Sequence, residues 1–126
     1  MTEDIQTESD IEILIDKFYE KVIVDPVIGF IFTDIVELSW DKHIPVMNKF
    51  WNSILLGKNS YDGNPMLKHI ELNEKISLTN EHFDRWLKLW KETVNENFSG
   101  VHASLAISRA TSISSIMQTK IKMSER

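Results

Sequence analysis

Glycine and proline are absent from residues 1–25, from 66–99 and from 101–126. A β-sandwich or barrel needs turn residues about every 8–12 positions. Stretches this long without one argue against an all-β chain and favour helices. The apolar spacing agrees. Ile11, Leu14, Ile15, Phe18, Tyr19 and Val22 fall on one face of a helix over 10–24. Ser9 or Asp10 is placed to cap it, and Asp25-Pro26 stops it, because proline pushes its predecessor out of helical geometry. Residues 1–8 read as a flexible tail ahead of one domain over 9–123. Val27 to Phe32 is long enough for one or two helical turns.

A second helix is predicted over 39–56, capped by Ser39 and closed by Gly57. Its apolar stripe is wide: Trp40, Ile44, Met47, Phe50, Trp51, Ile54 and Leu55. Pro45 inside it removes a backbone donor and predicts a kink or a late regular start. Residues 58–64 are turn-rich, and Asn64-Pro65 then opens a short helix carrying Met66, His69 and Ile70. Thr79 or Asn80 caps a helix over 80–98, with Phe83, Trp86, Leu87, Trp90, Val94 and Phe98 along it, ended by Gly100. The last helix, 101–122, carries Ala103, Ala106, Ala110, Ile113 and Met117 on one side. Small residues there let a neighbour approach closely. The chain is all-α and contains no internal repeat.

Charge and composition narrow the function. The net charge is −5, from 19 acidic and 14 basic residues, which argues against nucleic acid and against anionic membranes. No cysteine is present, so disulfides, thiolate metal sites, iron–sulfur clusters and thioether-linked haem are excluded. The opening MTEDIQTESD is too acidic for a leader, and no apolar run nears the ~20 residues of a membrane span. The expected location is the cytoplasm. Nucleotide-binding, hydrolase and zinc-protease signatures are missing, and no catalytic residue is assigned.

Four histidines remain as candidates for chemistry: His43, His69, His82 and His102. His69 follows the Asn-Pro helix start beside Met66 and Ile70, and His43 lies one helix earlier. Phe18, Tyr19, Phe30, Phe32, Phe50, Phe83 and Trp86 supply flat apolar rings around them. One histidine able to ligate iron and another across a flat apolar slot would suit a noncovalent haem. A plain aromatic core, in a cofactor-free helical interaction module, satisfies the same composition.

Several local motifs go further. Phe18-Tyr19-Glu20-Lys21-Val22 precedes Asp25-Pro26 and Ile31-Phe32, and Trp40-Asp41-Lys42-His43 precedes Phe50-Trp51 and Leu55-Leu56-Gly57. Tyr61-Asp62-Gly63-Asn64-Pro65 precedes Leu67-Lys68-His69, and His82-Phe83-Asp84-Arg85-Trp86-Leu87 precedes Arg109-Ala110. In this order the chain resembles the truncated (2/2) haemoglobins, most closely group III, over roughly residues 9 to 118.

The resemblance implies a two-over-two helical sandwich around haem b. His69 matches the proximal iron ligand. Phe32, Met47, Phe50, Met66, Phe83 and Trp86 match cofactor-binding positions. Tyr19, His43 and Trp86 match the distal ligand-binding positions, where a phenol and an indole N–H can donate to a bound diatomic ligand. The implied ligands are O2, NO and CO. The implied activity is gas binding, with NO dioxygenation or peroxide handling that draws electrons from a separate reductase. A monomer is expected. Pro45, two residues after His43, departs from the family pattern. His82 and His102 are expected at the surface or in packing, and Trp40, Trp51 and Trp90 in the core.

Overall fold

The computed structural model describes residues 2–31, 40–57 and 78–124, with the side chains of 40–43 and 123–124 outside the description. Among the described residues four helices carry the fold: α1 (Glu8–Ile23), α2 (Trp40–Leu55), α3 (Asn80–Asn97) and α4 (Val101–Ser124). α1 packs against both α2 and α3, α3 packs against α4, and α2 touches α4. One pair therefore lies over the other, the predicted two-over-two arrangement. Among the described residues no helix is long and apolar enough to cross a membrane.

The helix starts follow from capping chemistry. At α1 the cap is Thr7, not Ser9 or Asp10. Its Oγ1 accepts from the Asp10 amide at 3.2 Å, and Asp10 Oδ2 accepts from the amides of Thr7 and Gln6 at 3.1 and 2.9 Å. Asp10 thus completes a capping box in the position glutamate usually holds. Thr79 does the same for α3, where His82 Nδ1 accepts from the Thr79 amide at 3.1 Å. His82, expected at the surface or in packing, is a helix-start device. α1 stops at Ile23, just before Asp25-Pro26. Pro45 sits inside α2, which is already helical from Trp40. The expected late start is absent because the proline lies in the second turn and forfeits a single bond to the first.

The segment expected as a flexible tail is docked. Ile5 is fully buried, and Glu3 bridges Phe98 in parallel, with the Ser99 amide donating to the Glu3 carbonyl at 3.0 Å. Asp4 takes over the start of α4: its carboxylate accepts from the amides of His102 and Ala103 at 3.0 and 2.9 Å. His102 Nδ1 donates to the Ile5 carbonyl at 2.6 Å. Gly100 makes room for this strap. Its φ is 134°, and a Cβ there would meet Asp4 Cγ at 2.6 Å, so a side chain is barred by backbone conformation and by contact.

The core lies where the pairs cross. Ile11, Leu14, Ile15, Phe18 and Val22 of α1 meet Trp51 and Leu55 of α2 and Leu89, Trp90 and Val94 of α3. The small stripe on α4 behaves as its spacing predicts. Ala103, Ala106 and Ala110 are buried, and the close approach lets Trp90 Nε1 donate to the Ala106 carbonyl at 3.1 Å.

Candidate functional site

α1 and α3 bring Tyr19 and Trp86 against one ring. Phe18 lies edge-on to Tyr19 at 5.1 Å between centroids and edge-on to Trp86 at 6.1 Å. Tyr19 is only 9% exposed, and Trp86 is half-buried. Burial pushes the Tyr19 pKa above its ordinary value, so the phenol keeps its proton and remains a donor. A groove of about 350 Å³ between α1 and α2, lined by Asp16, Tyr19, Glu20, Ile23 and Ile44, reaches Tyr19 from the surface.

α2 contributes an apolar flank. Ile44, Met47, Phe50 and Ile54 are each half-buried, whereas Trp51 and Leu55 beside them are buried. The described residues thus leave a strip of large apolar side chains only half covered. Phe83 is buried in a smaller cluster with Met117 and Ile121, against Leu78 and Ile113. His43 lies in α2 one turn before Met47, with its side chain outside the description. Phe32, Met66 and His69 lie outside the described residues. Among the described residues no cluster of three or more His, Asp or Glu could hold a metal.

One pair escaped the sequence reading. Asp25, just past α1, accepts from Arg85 Nε at 2.7 Å, and Arg85 Nη2 lies 2.6 Å from the same oxygen. Its other oxygen accepts from the amides of Val27 and Ile28, both at 3.0 Å. Burial works against the charged carboxylate, yet Arg85 and the two amides outweigh it and hold its pKa below the ordinary 3.8. Arg85 directly precedes Trp86, so the pair ties the end of α1 to the turn of α3 that presents the indole. Both residues stood in motifs singled out above. A partnership across 60 residues has no local signature.

The family model described as bacterial-like globin matches residues 1–124. The chain is also 34% identical to the group 3 truncated hemoglobin ctb of Campylobacter jejuni, over 86% of this chain and 85% of that one. The crystal structure of a group III truncated hemoglobin from Campylobacter jejuni superposes with a TM-score of 0.82 at 31% identity, covering 96% of this chain and 95% of that one. The chain is a bacterial-like globin, a truncated haemoglobin of group III. This truncated haemoglobin is also 35% identical to the group 1 truncated hemoglobin GlbN of Synechocystis, over 59% of this chain and 58% of the relative.

Membership implies a haem cofactor, which sets aside the cofactor-free interaction module. The residues fit that group. A flat macrocycle is what a half-covered strip of Ile44, Met47, Phe50 and Ile54 would accept, and Tyr19 and Trp86 supply protonated donors beside it.

Proposed function

We propose that this truncated haemoglobin holds haem b noncovalently, binds O2 and NO, and supports oxygen redox chemistry such as NO detoxification. The observation that carries the reading is the pair of N–H and O–H donors, Trp86 and Tyr19, held against Phe18 on facing helices. Bound haem supplies an iron with an open position for a diatomic gas.

His69 is the residue that would hold the iron, through one imidazole nitrogen, with the other nitrogen's proton free to donate to an acceptor that fixes the ring. Phe32, Met47, Phe50, Met66 and Phe83 pack on the macrocycle and keep water from its faces. Tyr19 and Trp86 donate to whichever end of a ligand gathers negative charge. That favours O2, which polarises, over CO, which does so much less. The Tyr19 phenol holds its proton throughout, because burial disfavours the phenolate. His43 is the candidate third polar group, gating ligand entry, and the groove at Ile23 and Ile44 gives Tyr19 a route to solvent. The chain has no flavin or nicotinamide motif, so turnover draws electrons from a separate cytoplasmic reductase. The globin acts as a monomer.

Absorption spectroscopy tests this directly. Purified with haem, the wild type should show a Soret band and convert between deoxy, O2 and CO spectra. His69→Ala should lose haem, or keep it only with added imidazole. A His69→Ala protein with unchanged haem content and ferrous spectrum would refute the ligand assignment.

A further inference from the structure

Asp25 is the one charged residue that is buried among the described residues. Burying an ion pair gains little net stability, because desolvation offsets the attraction. What the pair does supply is direction, since an arginine fork meets a carboxylate within a narrow range of angle and length. Both carboxylate oxygens are in use. Oδ2 accepts from the amides of Val27 and Ile28, and Oδ1 accepts from Arg85 Nε at 2.7 Å, with Arg85 Nη2 at 2.6 Å. The turn that carries Asp25 is anchored on α1. The Asp25 amide donates to the Val22 carbonyl at 3.1 Å, and a Cβ on Gly29 would lie 3.0 Å from the Val22 and Ile23 carbonyl oxygens. A slide or rotation of α3 against the end of α1 therefore breaks the Arg85 bonds. Arg85 and Trp86 are consecutive in one helix, so fixing the register of the first fixes that of the second. Trp86 depends on this. It is half-buried, and among the described residues no hydrogen bond holds its indole. Its neighbours are rings: Phe18 edge-on at 6.1 Å, and Trp90 nearly parallel at 6.4 Å, itself stacked on Trp51 at 4.5 Å. Ring contacts tolerate sliding better than bonds aimed at one oxygen do. A second tie between the same helices, Lys21 to Glu96 at 2.8 Å, ends on an exposed glutamate and is weakened by solvent.

We propose that Asp25 is a positioning residue for the distal donor: through Arg85 it holds the turn of α3 that presents the Trp86 N–H, and so sets how strongly the pocket prefers O2 over CO. This rests on the haem reading above. Two variants cut the link from opposite sides. Asp25→Asn keeps an oxygen for the Val27 and Ile28 amides but puts an NH2 against Arg85. Arg85→Met leaves the turn its carboxylate and removes the fork. Lys21→Met is the control, since it breaks the exposed tie between the same two helices and leaves Asp25 alone.

The experiment makes each variant in haem-loaded globin, alone and combined with Trp86→Phe. It measures O2 and CO dissociation by stopped flow. It also records the Trp86 indole N–H resonance of the CO-bound protein by nuclear magnetic resonance, identified by its loss in Trp86→Phe. Circular dichroism and the Soret band establish that each variant is folded and loaded, and Arg85→Met decides the matter if Asp25→Asn does not fold. Both link variants should shift the Trp86 resonance. Both should change O2 dissociation by roughly three- to ten-fold, a part of one hydrogen bond to a charged acceptor, and CO dissociation far less. In the Trp86→Phe background neither should change O2 dissociation further, because the group they position is gone. Lys21→Met should leave the resonance and both rates as in wild type. An equal change in O2 dissociation with and without Trp86 overturns the proposal. So does a Trp86 resonance unmoved by both link variants, or a Lys21→Met protein that matches them. Each of those outcomes leaves the haem reading standing. A wild type that takes up no haem overturns both.

Discussion

Ile5→Ala measures whether the first residues belong to the fold. Ile5 is 0% exposed under the start of α4. The change deletes three buried carbons, at about 0.8 kcal/mol each. The residual cavity raises the total to about 3–4 kcal/mol. For a domain of this size that corresponds to a fall in Tm of roughly 10–15 °C. Urea unfolding followed by far-ultraviolet circular dichroism gives the value, with the midpoint lowered and the slope unchanged if the transition stays two-state. Asp4→Ala is a companion that removes the cap of α4, together with the bond from the Ile5 amide, and should cost about 1 kcal/mol. If Ile5→Ala lies within about 0.5 kcal/mol of wild type, as surface substitutions do, the strap is undocked in solution and the reasoning fails.

Tyr19→Phe and Trp86→Phe should each alter O2 dissociation by roughly ten- to a hundred-fold, the kinetic equivalent of about 1.5–3 kcal/mol for a hydrogen bond to a charged acceptor, with far smaller effects on CO. Stopped-flow rates within a factor of about two of wild type for both variants and the double mutant would refute the donor assignment, since coupled donors mask one another only in single mutants. His43→Ala should speed ligand association while changing O2 release less than Tyr19→Phe does, and Pro45→Ala should alter association without removing a polar group. The reverse pattern in flash photolysis makes His43 a fixed donor. The Asp25 carboxyl has a depressed pKa in the folded state, so its contribution is present above the ordinary value of 3.8 and is lost as pH falls below it. Asp25→Asn should therefore flatten the acid limb of stability against pH, and an unchanged limb would show that the Arg85 pair contributes nothing there.

The helices were legible because each is a local pattern. Ile11 to Val22, Phe83 to Phe98 and the alanines of α4 repeat at helical spacing, and the breakers at Asp25-Pro26, Gly57 and Gly100 stand at the ends. Aromatic crowding pointed at Tyr19 and Trp86 for the same reason, once motif order suggested a family. What failed depended on distant partners. Residues 2–6 look like any polar terminus until Asp4 meets amides 98 and 99 positions away. Thr7 was passed over as cap because Ser9 and Asp10 lie nearer the first apolar residue, while the box needs Asp10 as its third helical position. The Asp25–Arg85 pair and the stacking of Trp51 on Trp90 are likewise products of helix packing. The expectations for Phe32, Met66 and His69 fall on residues outside the described structure.

Stacking among Trp51, Trp90 and Trp86 also decides what fluorescence can see. Trp51 comes from α2 and Trp86 and Trp90 from α3, so the overlap of Trp51 with Trp90 exists only when two helices well separated in sequence have come together. Ring centroids 4.5 and 6.4 Å apart are close enough to share excitation, so these three indoles should emit as one coupled chromophore whose inner rings, Trp51 and Trp90, are buried. Haem uptake should quench that chromophore at its Trp86 end. A collapsed state with helices formed but the sandwich open would match the native far-ultraviolet signal and still emit brightly, at the longer wavelength of hydrated indole. Comparing the two signals during refolding separates the formation of helices from their docking.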